Sequence, residues 1–224
     1  MIVKIKRQSA SDAPSYWQSF EYNGGDRVTV SAILDALNYT DDLIDTEGNP
    51  APRIRWECSC MQAICGGCAM VINGVPALAC TTFADKVKSD ELVLEPLSKF
   101  PVVADLIVDR SIIHKNLTEA KAFLENAAVS DKKQHDQQYS VAKCLKCGLC
   151  LEVCPNYRSG GDFYGAVFAN ESYLIAGQSA DKKPPIVKEY KEHFGAGCSK
   201  AFSCQRVCPV GIETLTSVLR MNRK

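Results

Sequence analysis

The sequence of 224 residues has no long hydrophobic run, no excess of charge of either sign and only three histidines. Its longest apolar runs, such as Ala69–Ile72 and Val75–Cys80, are far shorter than the roughly 20 residues that cross a bilayer as a helix, so any membrane association would go through a partner. The formal net charge of +0 gives no argument for nucleic acid or for an anionic membrane surface. Met1–Lys6 alternates like a strand and lacks the apolar segment of a signal peptide, so no export is expected.

The sequence is unusually rich in cysteine, with twelve residues. An even number of cysteines in an exported chain would indicate disulfides, but these cysteines form groups with the spacing of metal ligands. His114, His135 and His193 are scattered in helical or polar contexts, and we expect surface or packing roles for them. No nucleophile–base pair and no paired carboxylates stand out. We therefore expect metal-bound thiolates in a reducing cytosol, with any bond chemistry carried out by a partner.

The first cysteine group has the C-x4-C-x2-C spacing, with a fourth cysteine further along the chain. Its members are Cys60, Cys65, Cys68 and Cys80. This is the spacing with which plant-type ferredoxins hold a [2Fe–2S] cluster, and Gly66–Gly67 lets backbone N–H groups approach the sulfides. A zinc site, the alternative, would prefer two C-x2-C pairs. Cys58 falls outside the spacing and is predicted to be a spare thiol, with ligation by Cys58 as the less favoured alternative.

The second cysteine group reads C-x2-C-x2-C-x3-C-P from Cys144 to Pro155, the motif of bacterial-type ferredoxins. Its fourth cysteine ligates the other cluster in two-cluster ferredoxins, so the motif predicts a further group downstream. That group is Cys198-x5-Cys204-x3-Cys208-Pro209. A complete motif would have one more cysteine, at the position of Ala201.

In such a motif the fourth cysteine of each group ligates the cluster of the other group, and this exchange gives two sets of ligands. A [4Fe–4S] cluster is predicted on Cys144, Cys147, Cys150 and Cys208. A second cluster, which lacks a protein ligand at one corner, is predicted on Cys154, Cys198 and Cys204. A cubane with no thiolate at one iron tends to lose that iron, which predicts [3Fe–4S]. The alternative is a [4Fe–4S] cluster whose open iron binds water or substrate.

The hydrophobic pattern predicts a small mixed sheet with one helix, followed by a helical half. Strands are predicted at Met1–Arg7, at Trp17–Tyr22, around the Asn73-Gly74 hairpin and at Glu91–Leu97, with Ser31 as the N-cap of a helix between them. Further helices are predicted over Phe100–Ala128, from Phe163 to Ile175 and from Ile212 to Met221, with a polar linker at Ala128–Ser140. No internal repeat of fixed period is predicted.

These motifs together resemble the iron–sulfur subunits of succinate dehydrogenase and fumarate reductase. The segment CMQAICGGCAMVING at Cys60–Gly74 resembles the first cluster loop of that family, and LEPLSKFPVVADLIVDRS at Leu94–Ser111 resembles the stretch after its ferredoxin sheet. The crossed cysteine sets and the missing cysteine at Ala201 are similar to its last two clusters. The resemblance covers nearly the whole chain.

The resemblance implies an α+β fold, with a β-grasp [2Fe–2S] ferredoxin domain at 1–105, a helical connector and linker at 106–138, and an α-helical ferredoxin domain at 139–224. It also implies two partners: a flavoprotein with covalent FAD that interconverts succinate and fumarate, and a membrane anchor that binds quinone and in some members heme b. Electrons would pass between FAD, [2Fe–2S], [4Fe–4S], [3Fe–4S] and quinone. The chain would then lie peripherally on the cytoplasmic face of the inner membrane.

The sequence departs from the family pattern beside the last cluster. In ubiquinone-linked members the Cys-Pro is followed by Ser-Tyr-Trp-Trp, whereas Cys154-Pro155 is followed here by Asn-Tyr-Arg-Ser. Ser199 stands where some members have histidine. This departure favours a menaquinone-type partner. The residues expected nearest the quinone or anchor are Pro155, Tyr157 and Arg158, with loop packing as their alternative role.

Two other functions are open from the sequence. One is an adaptor subunit in a soluble fumarate reductase or heterodisulfide reductase type of complex, which would usually add further cysteine-rich repeats. The other is a free ferredoxin-like carrier, which would often have a strongly acidic surface that this composition lacks. The favoured prediction is the electron-transfer subunit of a quinone-linked succinate or fumarate oxidoreductase.

Overall fold

The structure, a computed structural model, describes residues 1–25, 27–87, 89, 91–129, 132–181 and 183–224. It divides into two compact units, Met1–Asp109 and Arg110–Lys224. Residues 130 and 131 of the predicted linker lie outside the described residues. Over the part of the chain that the structure describes, no helix combines the length and the apolar character needed to cross a membrane.

The first unit is built on a mixed sheet of five strands. They are β1 (Ile2–Arg7), β2 (Tyr16–Glu21), β3 (Ala69–Ile72), β4 (Val75–Leu78) and β5 (Glu91–Glu95). Their order is β2-β1-β5-β3-β4; β1 and β5 run parallel, and the other neighbours are antiparallel. The two-residue alternation of β1 buries Val3 and Ile5, which lie beside Leu92 and Leu94 of β5.

The helix of this unit, α1, spans Val30–Asn38 and begins two residues earlier than predicted. Its N-cap is Thr29, whose extended backbone lets Oγ1 accept a hydrogen bond from the N–H of Ala32 at 3.3 Å. The prediction of Ser31 as N-cap is wrong, because Ser31 is buried inside the first turn with Oγ 2.9 Å from Oγ1 of Thr29. The predicted apolar stripe is buried and consists of Ile33, Leu34 and Leu37.

The helix predicted over Phe100–Ala128 is wrong over its first part. Two short antiparallel strands, β6 (Val102–Ala104) and β7 (Ile107–Val108), precede a helix α2 that covers only Ser111–Glu119. The β-branched residues here favour extended backbone, and Asp105 has a φ of 46° that turns the chain between the strands. The connector predicted at 106–138 therefore begins with strand β7 rather than with a helix.

The second unit is helical. After α2 its helices are α3 (His135–Ala142), α4 (Leu149–Glu152), α5 (Gly165–Gln178), α6 (Ile186–Tyr190), α7 (Ser203–Arg206) and α8 (Thr214–Met221), with a π-helical turn at Lys191–Gly195. Helices α3, α6 and α8 pack against α5, which buries Phe168 and Tyr173 among others. A sheet unit followed by a helical unit is the α+β architecture predicted from the sequence.

Candidate metal centres

The loop after Cys60 directs several backbone N–H groups at one sulfur. Sγ of Cys60 accepts hydrogen bonds from the N–H groups of Gln62, Ile64 and Cys65, each at 3.3 Å. These bonds stabilise the thiolate and lower the pKa of Cys60 to about 7, with the bond from Gln62 contributing most. The hydrogen-bond donors around this sulfur therefore favour its negatively charged form, which is the form that binds a metal.

The loop has this shape because several residues adopt left-handed backbone conformations. Met61, Ala63 and Gly66 have φ values of 55°, 59° and 74°. For a residue other than glycine this conformation costs of the order of 1 kcal/mol or more, and such strain is often found at functional sites. The N–H of Gly67 also points at Sγ of Cys65, at 3.4 Å. The loop is thus a concave nest of N–H groups, which fits an anionic iron–sulfur core.

The β3–β4 hairpin places Cys68 beside Cys80. Ala69 pairs with Leu78 at the open end of the hairpin, and the N–H of Ala79 donates to the carbonyl oxygen of Cys68 at 3.0 Å. Both thiols are buried, and burial raises the pKa of Cys68 to about 12. The hairpin therefore supplies two sheltered thiols, whereas the loop supplies two more accessible ones.

The N-terminus of α1 supports the segment that carries Cys80. The N–H of Val30 donates to the carbonyl oxygen of Thr82 at 2.8 Å, and the N–H of Ser31 donates to that of Ala79 at 3.2 Å. These bonds use N–H groups that a helix N-terminus otherwise leaves unsatisfied. The buried position of Ser31 thus serves the metal centre, although Ser31 is not the cap.

Cys58 lies close to the loop without taking part in its hydrogen bonds to sulfur. It is exposed, and partial desolvation raises the pKa of its thiol, with further contributions from the charges of Asp35 and Cys65. The spare thiol predicted from the sequence stays a prediction.

In the helical unit one small cavity is bordered by the four cysteines of the first crossed set. They are Cys144, Cys147, Cys150 and Cys208. Burial raises the pKa of Cys147 to about 11 and that of Cys150 well above its usual value. Four thiols that border one cavity would repel one another as thiolates, so ionising them together requires a positively charged metal centre. Cys204 also borders this cavity.

A second cavity, of about 240 Å³, is bordered by the three cysteines of the other set, Cys154, Cys198 and Cys204. Its remaining lining is mostly apolar and includes Phe194, Phe202 and Leu219. Because Cys204 borders both cavities, the two sites are neighbours. The donor chemistry fits sulfur-ligated iron, since thiols are the available soft ligands.

The two cysteine groups are halves of an internal repeat, so the prediction of no repeat is wrong. At one constant spacing the repeat aligns Cys144 with Cys198, Cys147 with Ala201, Cys150 with Cys204, and Cys154-Pro155 with Cys208-Pro209. The backbone repeats as well. Lys146 and Lys200 have φ values of 51° and 59°, and the left-handed residues Gly148 and Phe202 start the one-turn helices α4 and α7. Ala201 therefore occupies the place of Cys147.

Cationic side chains approach the first of these cavities. Nη1 of Arg110 donates to the carbonyl oxygen of Cys147 at 3.3 Å. Lys146 forms a partly buried ion pair with Glu171 of α5. The charge of Lys146 lowers the pKa of Cys144 while that of Glu171 raises it, although burial is the larger effect and leaves the pKa raised. These contacts were not predicted, because sequence spacing does not indicate which charges meet in space.

The three residues expected near the quinone have different surroundings in the structure. Pro155 is exposed and borders the cavity of Cys154, Cys198 and Cys204. Tyr157 is buried, 2% exposed, and its ring lies against the backbone at Gly165. Arg158 is exposed, and its carbonyl oxygen accepts from the N–H of Gly161 at 3.1 Å. The buried side chain of Tyr157 is consistent with the alternative role of loop packing, and proximity of the three residues to a quinone stays a prediction.

Comparison with known protein families gives matches in both units. Residues 2–115 match the family described as a 2Fe-2S iron-sulfur cluster binding domain. Residues 140–212 and 110–158 each match a family described as a 4Fe-4S dicluster domain. The first match covers the unit with the loop at Cys60, and the second covers all seven cysteines of the helical unit.

Individual relatives extend the similarity along the chain. The succinate dehydrogenase iron-sulfur subunit of Bacillus subtilis (strain 168) is 30% identical over 230 aligned positions, which cover 98% of this chain and 90% of that protein. The fumarate reductase iron-sulfur subunit of Wolinella succinogenes is 25% identical over 240 aligned positions, which cover 100% of this chain and 95% of that protein. A chain of the Mycobacterium smegmatis Sdh1 complex in the apo form has the same fold, with a TM-score of 0.79 and 22% sequence identity. The match covers 99% of this chain and 93% of that chain. The chain therefore belongs to the family of succinate dehydrogenase and fumarate reductase iron–sulfur subunits.

Proposed function

We propose that the chain is the electron-transfer subunit of a membrane-associated succinate:quinone oxidoreductase or quinol:fumarate reductase. The interconversion of succinate and fumarate would take place in a partner flavoprotein, and this chain would relay electrons between FAD and quinone. The observation that carries the proposal is the pair of neighbouring cavities, each bordered by cysteines from both halves of the repeat. Adjacent iron–sulfur sites are what a relay of single electrons requires.

The proposed ligands follow the two units. Cys60, Cys65, Cys68 and Cys80 would hold the [2Fe–2S] cluster. Cys144, Cys147, Cys150 and Cys208 would hold the [4Fe–4S] cluster. Cys154, Cys198 and Cys204 would hold the [3Fe–4S] cluster. In support, each set in the helical unit borders one cavity, and Cys60 is already surrounded by N–H donors.

The third cluster is proposed as [3Fe–4S] because of Ala201. The repeat aligns Ala201 with Cys147, so the methyl group stands where the thiolate of a fourth ligand would be. A cubane iron without a protein ligand at this position is easily lost. The alternative, a [4Fe–4S] cluster with water or substrate on the open iron, would need a polar surrounding, whereas this cavity is mostly apolar.

The proposed partners are a flavoprotein with covalent FAD and a membrane anchor that binds quinone and, in some family members, heme b. The chain would then lie peripherally on the cytoplasmic face of the cell membrane. The apolar cavity beside Cys154 supports a partner on this side, because its wall includes the exposed side chains of Phe202 and Leu219, 44% and 51% exposed. Exposed apolar side chains grouped around a cavity are typical of a surface that another subunit covers.

For the quinone we propose a menaquinone type. Pro155 would lie nearest to it, since Pro155 borders the apolar cavity, whereas Tyr157 and Arg158 would shape the loop that follows. No tryptophan follows Cys154-Pro155 in the sequence, so the contact that ubiquinone-linked members make there has no counterpart in this chain.

Purification from native membranes without oxygen, followed by electron paramagnetic resonance (EPR), tests the proposal. We expect the chain to co-purify with a flavoprotein and a small apolar subunit, and the oxidised sample to show a [3Fe–4S] signal. Recovery as a free monomer would favour the ferredoxin-like carrier, and recovery in a complex without a membrane subunit would favour the soluble adaptor. A silent oxidised sample with two full [4Fe–4S] clusters would contradict the [3Fe–4S] assignment.

A further inference from the structure

A group of metal-binding side chains lies in the helical unit, separate from the eleven proposed cysteine ligands. It consists of Glu189 on α6 and of Glu192 and His193 on the π-helical turn that follows. One ligand atom from each residue lies within 4.8 Å of the others, and Nε2 of His193 is 3.7 Å from Oε2 of Glu189. Ligands bound at about 2.0–2.2 Å from one metal ion lie roughly 3–4 Å apart, so small side-chain rotations would bring the three together.

The imidazole of His193 is held in the orientation that a metal ligand needs. Its Nδ1 lies 3.0 Å from the carbonyl oxygen of Asp162. Because a carbonyl oxygen only accepts hydrogen bonds, Nδ1 is the donor in this contact, and Nε2, on the side of Glu189, is the ring nitrogen that a metal ion could use. A metal-bound histidine almost always donates its other ring N–H to such an acceptor.

Aromatic packing fixes the same ring further. His193 stacks on Tyr164 with a centroid distance of 4.1 Å and an interplanar angle of 2°, and it meets the edge of Phe168 at 6.4 Å. The π-helical turn places His193 against this aromatic pair, and π-helical turns frequently occur at functional sites. The preoriented ring distinguishes the group from an ordinary acidic patch on a surface.

We propose that Glu189, Glu192 and His193 bind a divalent transition-metal ion of the zinc type. One imidazole and two carboxylates are ligands that suit Zn²⁺, and they neutralise its charge. Three protein ligands leave a position for water. The competing explanation is a simple ion pair between His193 and Glu189, which would need no metal and would not involve Glu192.

Calorimetric titration of the purified, cluster-loaded protein with Zn²⁺ separates these explanations. The wild type should bind one equivalent that Glu192→Gln and His193→Gln each weaken by at least about tenfold. Glu192 is exposed, so its replacement should not disturb folding. His135→Gln is the matched control, because His135 also lies beside a carboxylate, that of Asp136, but belongs to no such triad among the described residues.

Two further readouts accompany the titration. Zn²⁺ should raise the melting temperature of the wild type and of His135→Gln but not that of Glu192→Gln or His193→Gln, since a ligand stabilises only the state that binds it. Iron content and visible absorbance must stay constant, which shows that zinc has not replaced iron. Equal Zn²⁺ affinity in all four proteins, or no stoichiometric binding to the wild type, would overturn the proposal.

Discussion

Nε of Arg7 lies 3.0 Å from Oδ1 of Asp105, and both side chains are almost completely buried. At Nε the contact is an ion pair and not an aligned hydrogen bond. The terminal nitrogens of Arg7 and the carboxylate oxygens of Asp105 form hydrogen bonds with other groups. Nη2 of Arg7 donates to the carbonyl oxygens of Pro52 and Arg53, while the carboxylate of Asp105 accepts the N–H of Arg55 at 2.9 Å. The pair thus holds Pro52–Arg55, the segment that precedes the Cys60 loop, in position.

Replacement of Asp105 by asparagine should destabilise the first unit by about 3–5 kcal/mol, because it leaves the guanidinium of Arg7 buried without its counter-charge. Chemical denaturation under anaerobic conditions, followed through the [2Fe–2S] absorbance, measures this. Glu95→Gln is the control. It removes a surface pair with Lys6, 3.6 Å apart and about a third exposed, and should cost less than about 1 kcal/mol. Equal effects of the two substitutions would contradict the role of the buried pair.

The repeat predicts that Ala201→Cys supplies the missing fourth thiolate. Because Ala201 aligns with Cys147, the new side chain should face the open corner of the third cluster and retain a fourth iron. EPR of the oxidised variant should lose the [3Fe–4S] signal, and iron content should rise by one atom. Ala201→Ser, of nearly the same size but without a soft ligand, should keep the signal. Persistence of the signal in the cysteine variant would show that this position lies away from the cluster.

The crossed ligation predicts that Cys208→Ala removes the [4Fe–4S] cluster, although Cys208 is far in sequence from the other three ligands. We expect the [4Fe–4S] signal to disappear and the helical unit to lose protection from proteolysis, because metal-binding energy contributes to folding. Cys58→Ala should leave all three clusters intact. If the Cys208 variant kept a full [4Fe–4S] signal, the crossed assignment would be wrong.

A close contact between α4 and α5 predicts a packing effect at Gly165. A Cβ atom there would lie 2.4 Å from Cδ2 of Leu151, which is buried on α4 between Cys150 and Cys154. Gly160 has a similar φ, 77° against 73°, but nothing lies within 4 Å of its Cβ position. Gly165→Ala should therefore lower stability by about 1–3 kcal/mol more than Gly160→Ala does, as judged by thermal unfolding. Equal losses would mean that only backbone strain matters.

The quinone preference is tested by kinetics of the purified complex. Fumarate reduction by a menaquinol analogue should exceed succinate oxidation with ubiquinone, because no tryptophan follows Cys154-Pro155. Substituting Pro155 should raise the KM for quinone, whereas substituting the exposed Arg158, away from the apolar cavity, should have less effect. Equal activity with ubiquinone would contradict the menaquinone preference.

The sequence predicts the features of this protein that depend on local spacing. The motif from Cys60 to Cys68 and the Asn73-Gly74 turn predict a loop beside a hairpin, and the structure contains both. The α+β fold follows from hydrophobic alternation in the first half and from apolar stripes in the second. The bacterial-type motif also predicts crossed ligation, because it implies a shared partner group, and this assignment stays a prediction.

The errors arise where tertiary contacts decide the outcome. The chain from Val102 to Val108 has enough apolar residues for a helix, but Asp105 bonds to Gln8 and Arg55 and turns it into a hairpin. Thr29 rather than Ser31 caps α1, because the carbonyl groups of the Cys80 segment take up the first N–H groups of the helix. The repeat occurs only twice and is therefore not a repeat of many periods, but the shared cysteine spacing and the Val-Cys-Pro at the end of both halves indicate it.

The interleaving of the two cysteine groups also constrains how the protein is made. Each cavity of the helical unit is bordered by thiols from the chain around Cys144–Cys154 and by thiols from the chain around Cys198–Cys208. During synthesis the first unit is complete once Asp109 has left the ribosome, whereas the cavities of the second unit stay unfinished until the chain around Cys198–Cys208 has emerged. Iron–sulfur delivery to the first unit can therefore begin before that second cysteine group has been synthesised, while delivery to the second unit must wait for it.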